Sequence, residues 1–376
     1  MSGRIAVISN RALSSIDFRG PLISEVIARG VKVFVFVPDY DKTTKAKIRS
    51  LGAEPVAYSL SRTGMNPLRD SIDVLRLSLC LSRFELEAVL SYSPKPVVYG
   101  TLAAWLAQVP RRFALITGLG YAFALSSQTE SFRRRLLKCL VLHLFKFALR
   151  GGEKSFFQNM DDLTLFIDSG VVRFSQAIRV NGTGVNLNEW LPHPHVINPI
   201  TFILVARLLR EKGIVEYVEA AKRIRAFCSN ARFILLGGVD SNPGALAQSE
   251  VNSWVEEGLI EWPGHVQDVR SWLAKASVFV LPSFYREGVP RSTQEAMAMA
   301  RPIITTDAPG CRETVIEGVN GFLVPPCDVD ALVRAMIRFI ERPELIERMG
   351  KESRKLAEAR FDIRKINQKM LQTMGL

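Results

Sequence analysis

Short runs of β-branched and aromatic residues alternate along this chain with longer stretches whose apolar residues recur at helical spacing. That alternation is the pattern of parallel sheets wound with helices. In the first half, Ile5 to Ser9, Lys32 to Val37, Ala88 to Tyr92, Phe113 to Thr117 and Ser155 to Gln158 read as buried strands, with helical segments such as Pro21 to Arg29 between them. A second set follows, at Ile200 to Ala206, Arg232 to Leu236, Leu259 to Trp262, Val278 to Leu281 and Pro302 to Thr305. Between the sets, Leu191-Pro192-His193-Pro194-His195-Val196-Ile197-Asn198-Pro199 carries three prolines, which exclude both helix and central strand. A charged helical pattern from Pro343 to Met370, broken at Phe361-Asp362, closes the chain.

At 376 residues the chain exceeds the size at which one core keeps growing. The expected organisation is a Rossmann-like domain over 1–190, a linker over 191–199, a second Rossmann-like domain over 200–355, and a helical tail over 356–376 packing back on the first domain. Hydrophobic residues at 48% and charged residues at 23%, without repeats or low-complexity tracts, exclude a disordered chain or a solenoid.

The formal charge of +12 favours anionic partners: a polyphosphate ligand, an anionic membrane or nucleic acid. Nucleic acid ranks last, since no helix-turn-helix, zinc-finger or RNP signature accompanies the charge. The five cysteines, Cys80, Cys139, Cys228, Cys311 and Cys327, form no C-x-x-C pair, so neither a disulfide framework nor a zinc ribbon is expected and a reducing cytoplasm fits. The apolar run Ile5-Ala6-Val7-Ile8 is too short for a secretory leader.

Candidate chemistry concentrates in Phe284-Tyr285-Arg286-Glu287-Gly288-Val289-Pro290-Arg291-Ser292-Thr293-Gln294-Glu295. Its two glutamates stand eight residues apart across a strand-to-helix turn. Eight helical steps span about 12 Å, beyond the roughly 5 to 9.5 Å of glycosidase carboxylate pairs, which disfavours a hydrolase. Glu295 also fits a structural role, as the third residue of a capping box begun by Ser292. Glu287 lies in a loop beside a glycine that admits ligand to the backbone, and the helix start beyond it offers N–H groups to an anion. A second stretch, Val205-Ala206-Arg207-Leu208-Leu209-Arg210-Glu211-Lys212-Gly213, runs from a strand into a loop with two spaced cations suited to a diphosphate.

Together the two stretches resemble the family 4 glycosyltransferases, whose patterns Arg-x-x-x-x-Lys-Gly and Glu-x7-Glu are matched by Arg207, Lys212, Glu287 and Glu295. Asp307 to Glu313 and Glu317 to Val324 are similar to the block that follows in that family. Ser61 to Pro67, Phe113 to Gly120 and Leu236 to Pro243 resemble its branch of capsule, O-antigen and exopolysaccharide enzymes, which includes N-acetylgalactosaminyltransferases acting on undecaprenyl-diphosphate diacetylbacillosamine.

The resemblance implies an α/β protein of the GT-B type, two Rossmann-like doubly wound domains facing a cleft, acting as a retaining hexosyltransferase without metal or other cofactor. It implies a UDP-sugar donor, in this branch UDP-N-acetylhexosamine, and a lipid-linked saccharide acceptor. Arg207 and Lys212 would hold the diphosphate, Glu287 the transferring sugar and Glu295 the ribose, with Gly288, Val289, Pro290, Gly237, His265 and Val266 completing the donor site. Where many members carry a histidine in the first domain, this chain reads Thr117-Gly118-Leu119-Gly120-Tyr121, so Thr117, Gly118 and Gly120 are assigned to the acceptor side. A structural glycine turn is the alternative there. His143 falls in an apolar helix and His193 and His195 in the linker, and none is assigned as a base.

Phe132 to Arg150 is basic and strongly apolar, but Lys138 and Lys146 interrupt it, so it does not meet the ~20 largely uncharged residues of a spanning helix. It reads either as a core helix with a charged edge or as an interfacial helix on anionic lipid. The expected location is cytoplasmic, peripheral on the inner face of the membrane. Rival readings are a GT-B epimerase, a sugar-nucleotide-binding module without turnover, and a nicotinamide oxidoreductase; for the last, no G-x-G-x-x-G follows Ile5 to Ser9.

Overall fold

The computed structural model describes residues 3–60, 67–120, 123, 132–240, 242 and 244–376. Ser61 to Asn66, Ser241 and Pro243, which carry part of the family resemblance, and Tyr121 lie outside the described residues, as do the side chains of Arg133 and Arg134. The described residues form two compact units: those within Met1–Leu119, Ser131–Thr183 and Ile363–Leu376, and those within Gly120–Glu130 and Gly184–Asp362.

Unit 1 is built on seven parallel strands, β1 (Arg4–Ile8), β2 (Lys32–Val37), β3 (Glu54–Ala57), β4 (Ala88–Tyr92), β5 (Arg111–Ile116), β6 (Lys154–Phe157) and β7 (Ala177–Arg179), in the order β3-β2-β1-β4-β5-β6-β7. Its helices α1 (Ala12–Ala28), α2 (Lys42–Ser50), α3 (Pro67–Leu81), α4 (Pro94–Leu106), α5 (Phe132–Leu149) and α6 (Met160–Asp168) connect them. Alternation along the strands explains the two helical layers. Ile5, Val7, Val33 and Val35 point to one face, packing with Leu22, Ile23 and Val26 of α1. Ala6, Ile8, Phe34 and Phe36 point to the other, packing with Val74, Leu77 and Leu81 of α3.

Unit 2 contains β8 (Thr201–Val205), α7 (Ile214–Arg225), β9 (Arg232–Leu236), α8 (Gln248–Glu256), α9 (Arg270–Ala274), β10 (Val278–Leu281), α10 (Arg291–Ala298), β11 (Ile303–Thr306), β12 (Gly321–Val324), α11 (Val329–Glu341) and α12 (Glu344–Arg360). Its five parallel strands run β12-β11-β10-β8-β9. Strand order therefore reverses between β8 and β10: the chain steps outward to β9 on one side, then to β10, β11 and β12 on the other. In open α/β sheets, ligands gather outside the carboxyl ends of the strands at such a reversal. After α12 the chain returns to unit 1 as α13 (Ile363–Thr373).

Several sequence expectations are corrected. Leu259 to Trp262 is not a strand; it makes one isolated bridge, Glu261 to Ile234. Three edge strands were not foreseen. β3 contains Pro55, which an edge strand tolerates because the missing N–H costs no ladder bond there. β7 has only half-buried residues, and β12 opens on a glycine. The first helix starts at Ala12, with Pro21 inside it.

The proline stretch 191–199 lies inside unit 2, within its Gly184–Asp362 part. Arg301, fully buried, holds it there by donating to the carbonyls of His193 and Pro194 at 2.9 and 3.0 Å and to that of Ala276 at 3.0 Å. The tail expected from 356 is divided instead at Phe361-Asp362: α12 belongs to unit 2 and α13 to unit 1.

Candidate active site

The loops leaving β8, β9 and β10, three adjacent strands, carry the charged residues singled out above. After β8 the chain passes Arg207, makes a short 3-10 turn over Arg210–Lys212, and enters α7 through Gly213. Gly213 has φ +75°, and a Cβ there would lie 2.1 Å from the Pro282 carbonyl oxygen. Glycine is thus required for the β8 loop to lie against the exit of β10. Gly237 allows a similar approach after β9: a Cβ would stand 1.8 Å from the Ala206 carbonyl oxygen.

That proximity brings Lys212 to Glu287. The ammonium donates to Glu287 Oε1, with the two side chains only 11% and 12% exposed. Ser283 Oγ lies 3.2 Å from the same carboxylate oxygen and 3.1 Å from the Glu211 carbonyl oxygen. The amides of Phe284 and Tyr285 also donate to that carbonyl, at 2.9 and 3.0 Å, tying the two loops through their backbones. The Lys212 ammonium is 5.3 Å from the Tyr285 ring centroid.

Arg207 joins the group from the other side. It pairs with Asp240 Oδ2 at 2.9 Å, and its charge favours the ionised form of the nearby Tyr285 phenol. Asp240 is itself fixed by the amide and side-chain nitrogen of Asn242, at 3.0 and 2.7 Å. Burial, and after it the Glu287 charge, raises the Tyr285 phenol above its usual range, which keeps it protonated and able to donate. Cys311 is pushed up to about 12, by burial first and then by Glu287, so it remains a neutral thiol.

Glu295 is held separately. No capping box forms, because α10 begins at Arg291 with Pro290 as its N-cap and no side-chain cap bond. Glu295 Oε1 instead accepts from Arg291 Nε, one turn earlier, at 2.8 Å, and both side chains are largely buried. Val289 turns into the unit 2 core, leaving its backbone as its route to a ligand; its carbonyl accepts from Gln294 at 3.1 Å. The Gly237 amide donates to the Gly264 carbonyl at 3.0 Å, and His265 Cβ lies 3.3 Å from the Cβ position of Gly238. Gly237 and the segment through Val266 therefore sit side by side.

Thr117 and Gly118 follow β5 at the carboxyl edge of the unit 1 sheet, Gly118 with φ +94°. Gly120 groups with unit 2, where its amide donates to the Arg286 carbonyl at 3.2 Å. His143 is exposed on α5, its Nδ1 2.8 Å from the Cys139 carbonyl oxygen. Sequence reading gave no role to Asp240, Ser283, Tyr285 or Arg291. The signal available was charge parity: cations and acids placed in a buried loop need partners, and Arg291 stands one helical turn before Glu295.

Chemically, the group offers two cations on the loop after β8, at the reversal point of the sheet, with a carboxylate on the loop after the adjacent β10. An ammonium has three N–H donors, so Lys212 can hold Glu287 and still donate to a phosphate. Such a cation pair suits a diphosphate that gains charge as it leaves.

Residues 199–342 match the family model described as glycosyl transferases group 1. The N,N'-diacetylbacillosaminyl-diphospho-undecaprenol α-1,3-N-acetylgalactosaminyltransferase of Campylobacter jejuni is 28% identical over 85% of this chain and 84% of its own length. The UDP-Gal:α-D-GlcNAc-diphosphoundecaprenol α-1,3-galactosyltransferase of Escherichia coli is 25% identical over 79% of this chain and 77% of its own. Among solved structures, a sucrose-phosphate synthase from Thermosynechococcus elongatus superposes with a TM-score of 0.78 at 19% identity, covering 98% of each chain. The second unit thus carries a glycosyl transferases group 1 domain, and the two Rossmann-like units, each built on a parallel sheet, have the GT-B fold.

Proposed function

We propose that this chain is a glycosyltransferase that moves an N-acetylhexosamine, N-acetylgalactosamine being the first candidate, from its UDP-sugar to a hydroxyl of a lipid-linked saccharide in bacterial surface glycan or glycoprotein synthesis. Transfer proceeds with retention and without a metal, at the inner face of the cytoplasmic membrane. One observation carries the donor side: Arg207 and Lys212 leave β8, and Glu287 leaves the adjacent β10, at the reversal of strand order. The acceptor class rests on the two bacterial relatives, whose names specify undecaprenyl-diphosphate saccharides.

In this reading Arg207 and Lys212 grip the diphosphate, Glu287 faces the transferring sugar and Glu295 accepts from the ribose. Unit 2 is the donor unit and unit 1 the acceptor unit; Thr117 and Gly118 of unit 1 are assigned to the acceptor side, as is Gly120, which groups with unit 2. The acceptor proton passes to the departing phosphate oxygen. A mass-spectrometric screen of nucleotide sugars against short undecaprenyl-diphosphate saccharides tests donor and acceptor together. The expected product is the acceptor extended by one N-acetylhexosamine; UDP release with no extended saccharide would sink the transfer reading.

Two further results are expected. Arg207→Ala and Lys212→Ala each weaken UDP binding roughly ten- to a hundredfold, the worth of a charge-assisted hydrogen bond. Unchanged affinities by calorimetry in both variants would put the diphosphate elsewhere. Activity also survives EDTA, because the two cations take the place a metal fills in other transferases. Loss of activity in EDTA that Mg²⁺ or Mn²⁺ restores would contradict this.

A further inference from the structure

α3 presents an outer face that the packing of unit 1 does not require. Val74, Leu77 and Leu81 turn into the core, while Leu68, Ile72, Leu75 and Leu79 remain exposed, Leu68 at 81% and Leu79 at 66%. Their spacing of four, three and four residues places them on one stripe of the helix. Arg69 and Arg76 lie exposed beside it, with Arg83 just past the helix end, one every seven residues. Both acids of α3 face inward: Asp70 accepts from Tyr99 at 2.9 Å and Lys95 at 3.3 Å, and Asp73 is also buried. The outward face therefore combines large apolar residues with cations and serines, with no carboxylate.

The face continues across the same side of the sheet. α3 packs on α4, and α4 packs on α5. Trp105 and Leu106 are exposed at the end of α4, and Phe132, Leu136, Leu140 and Phe147 on α5. Arg135, Lys146 and Arg150 are exposed along α5. No helix among the described residues is long and apolar enough to cross a membrane.

We infer that the outer faces of α3 and α5 dock this protein on an anionic bilayer, with the apolar stripe of α3 entering the leaflet and its arginines meeting lipid phosphates. An exposed apolar stripe marks an interaction surface. A protein partner would accept acids on such a face, whereas an anionic surface repels them, and α3 turns both of its acids inward. Burying an apolar helix face while cations meet the headgroups is the physics of an interfacial helix. An open cavity of about 480 Å³, lined by Pro38, Tyr58, Ser59 and Arg69 among others, lies at the first turn of α3 by the ends of β2 and β3. The bilayer would thus come to the sheet edge where an α/β unit receives ligands. This deepens the lipid-linked acceptor reading and rests on it for its purpose, but vesicle binding is measured with neither donor nor acceptor present.

The test is flotation of the full chain with phosphatidylglycerol–phosphatidylcholine vesicles and with phosphatidylcholine alone. Binding is expected to the first only, and to fall in high salt as the cations are screened. Arg76→Gln with Arg83→Gln should lower partitioning about thirtyfold, from two surface cations. Leu75→Gln with Leu79→Gln should lower it at least about tenfold. Both pairs are at exposed positions and should keep the wild-type thermal melt and UDP affinity. Wild-type partitioning in both pairs, or equal binding to both vesicle types, overturns the inference. So does a dimer, seen by sedimentation velocity without lipid, that the leucine pair dissolves, since a second copy then covers the face. Vesicle binding through α3 by a protein that transfers equally well to lipid-free saccharides supports the docking and removes the lipid-linked acceptor.

Discussion

Replacing Glu287 by alanine lowers kcat by roughly a hundredfold to a thousandfold, the scale of removing one group that acts on charge in the transition state, while UDP affinity changes only a few fold. Under the proposed role, Glu287 meets the sugar undergoing transfer, where contacts stronger in the transition state than in the ground state govern turnover. The variant needs a companion, because Glu287 also holds the largely buried Lys212 ammonium and accepts from Ser283. Glu287→Gln keeps a hydrogen-bond acceptor at the same length and should lose turnover as well. If the glutamine variant keeps most of its kcat, the carboxylate is a structural partner of Lys212 and the reacting sugar is held by something else. Thermal melts of both variants separate lost pairing from lost chemistry.

The second large effect is structural. Gly213→Ala places a Cβ 2.1 Å from the Pro282 carbonyl oxygen at φ +75°, so the residue is strained and the β8 and β10 loops are also forced apart. A loss of about 3 kcal/mol or more is expected, which lowers Tm by roughly 6 to 12 °C for a unit of this size. UDP binding should weaken too, since Lys212 precedes Gly213 directly and Pro282 leads into the loop of Glu287. Gly258 supplies the control: it has φ +70° but no atom within 4 Å of its Cβ position. Gly258→Ala should cost only about 1 kcal/mol. Scanning calorimetry showing equal losses in the two variants would mean that the close approach at Pro282 relaxes freely.

Local pattern carried much of the fold. β1, β2, β4 and β10 are runs of apolar residues buried on both faces, and such strands are legible without knowledge of their neighbours. β3 and β7 were not, because half-buried edge strands have no apolar run; their pairing with β2 and β6 defines them. Leu259 to Trp262 shows the converse, since its apolar residues pack on the unit 2 core with one bridge to β9. Within the site, spacing pointed to Arg207, Lys212 and Glu287. It could not reveal that Lys212 and Glu287 are paired, or that Arg207 pairs with Asp240 near Tyr285, because those contacts depend on which strands are neighbours. The outward face of α3 was missed for a related reason: periodicity shows an amphipathic helix, but not which apolar residues the core leaves uncovered.

The return of the chain to unit 1 through α13 bears on how the protein is made. Ile366, Met370, Leu371 and Met374 are buried in the same core as β1, β2 and α1, and Asn367 donates to Glu25 at 2.9 Å. Unit 2, made of residues within Gly120–Glu130 and Gly184–Asp362, is fully synthesised before that helix. On the ribosome, the first sheet to emerge therefore keeps an apolar face open until translation has passed through the whole of the second, so unit 2 can mature first although it is translated later.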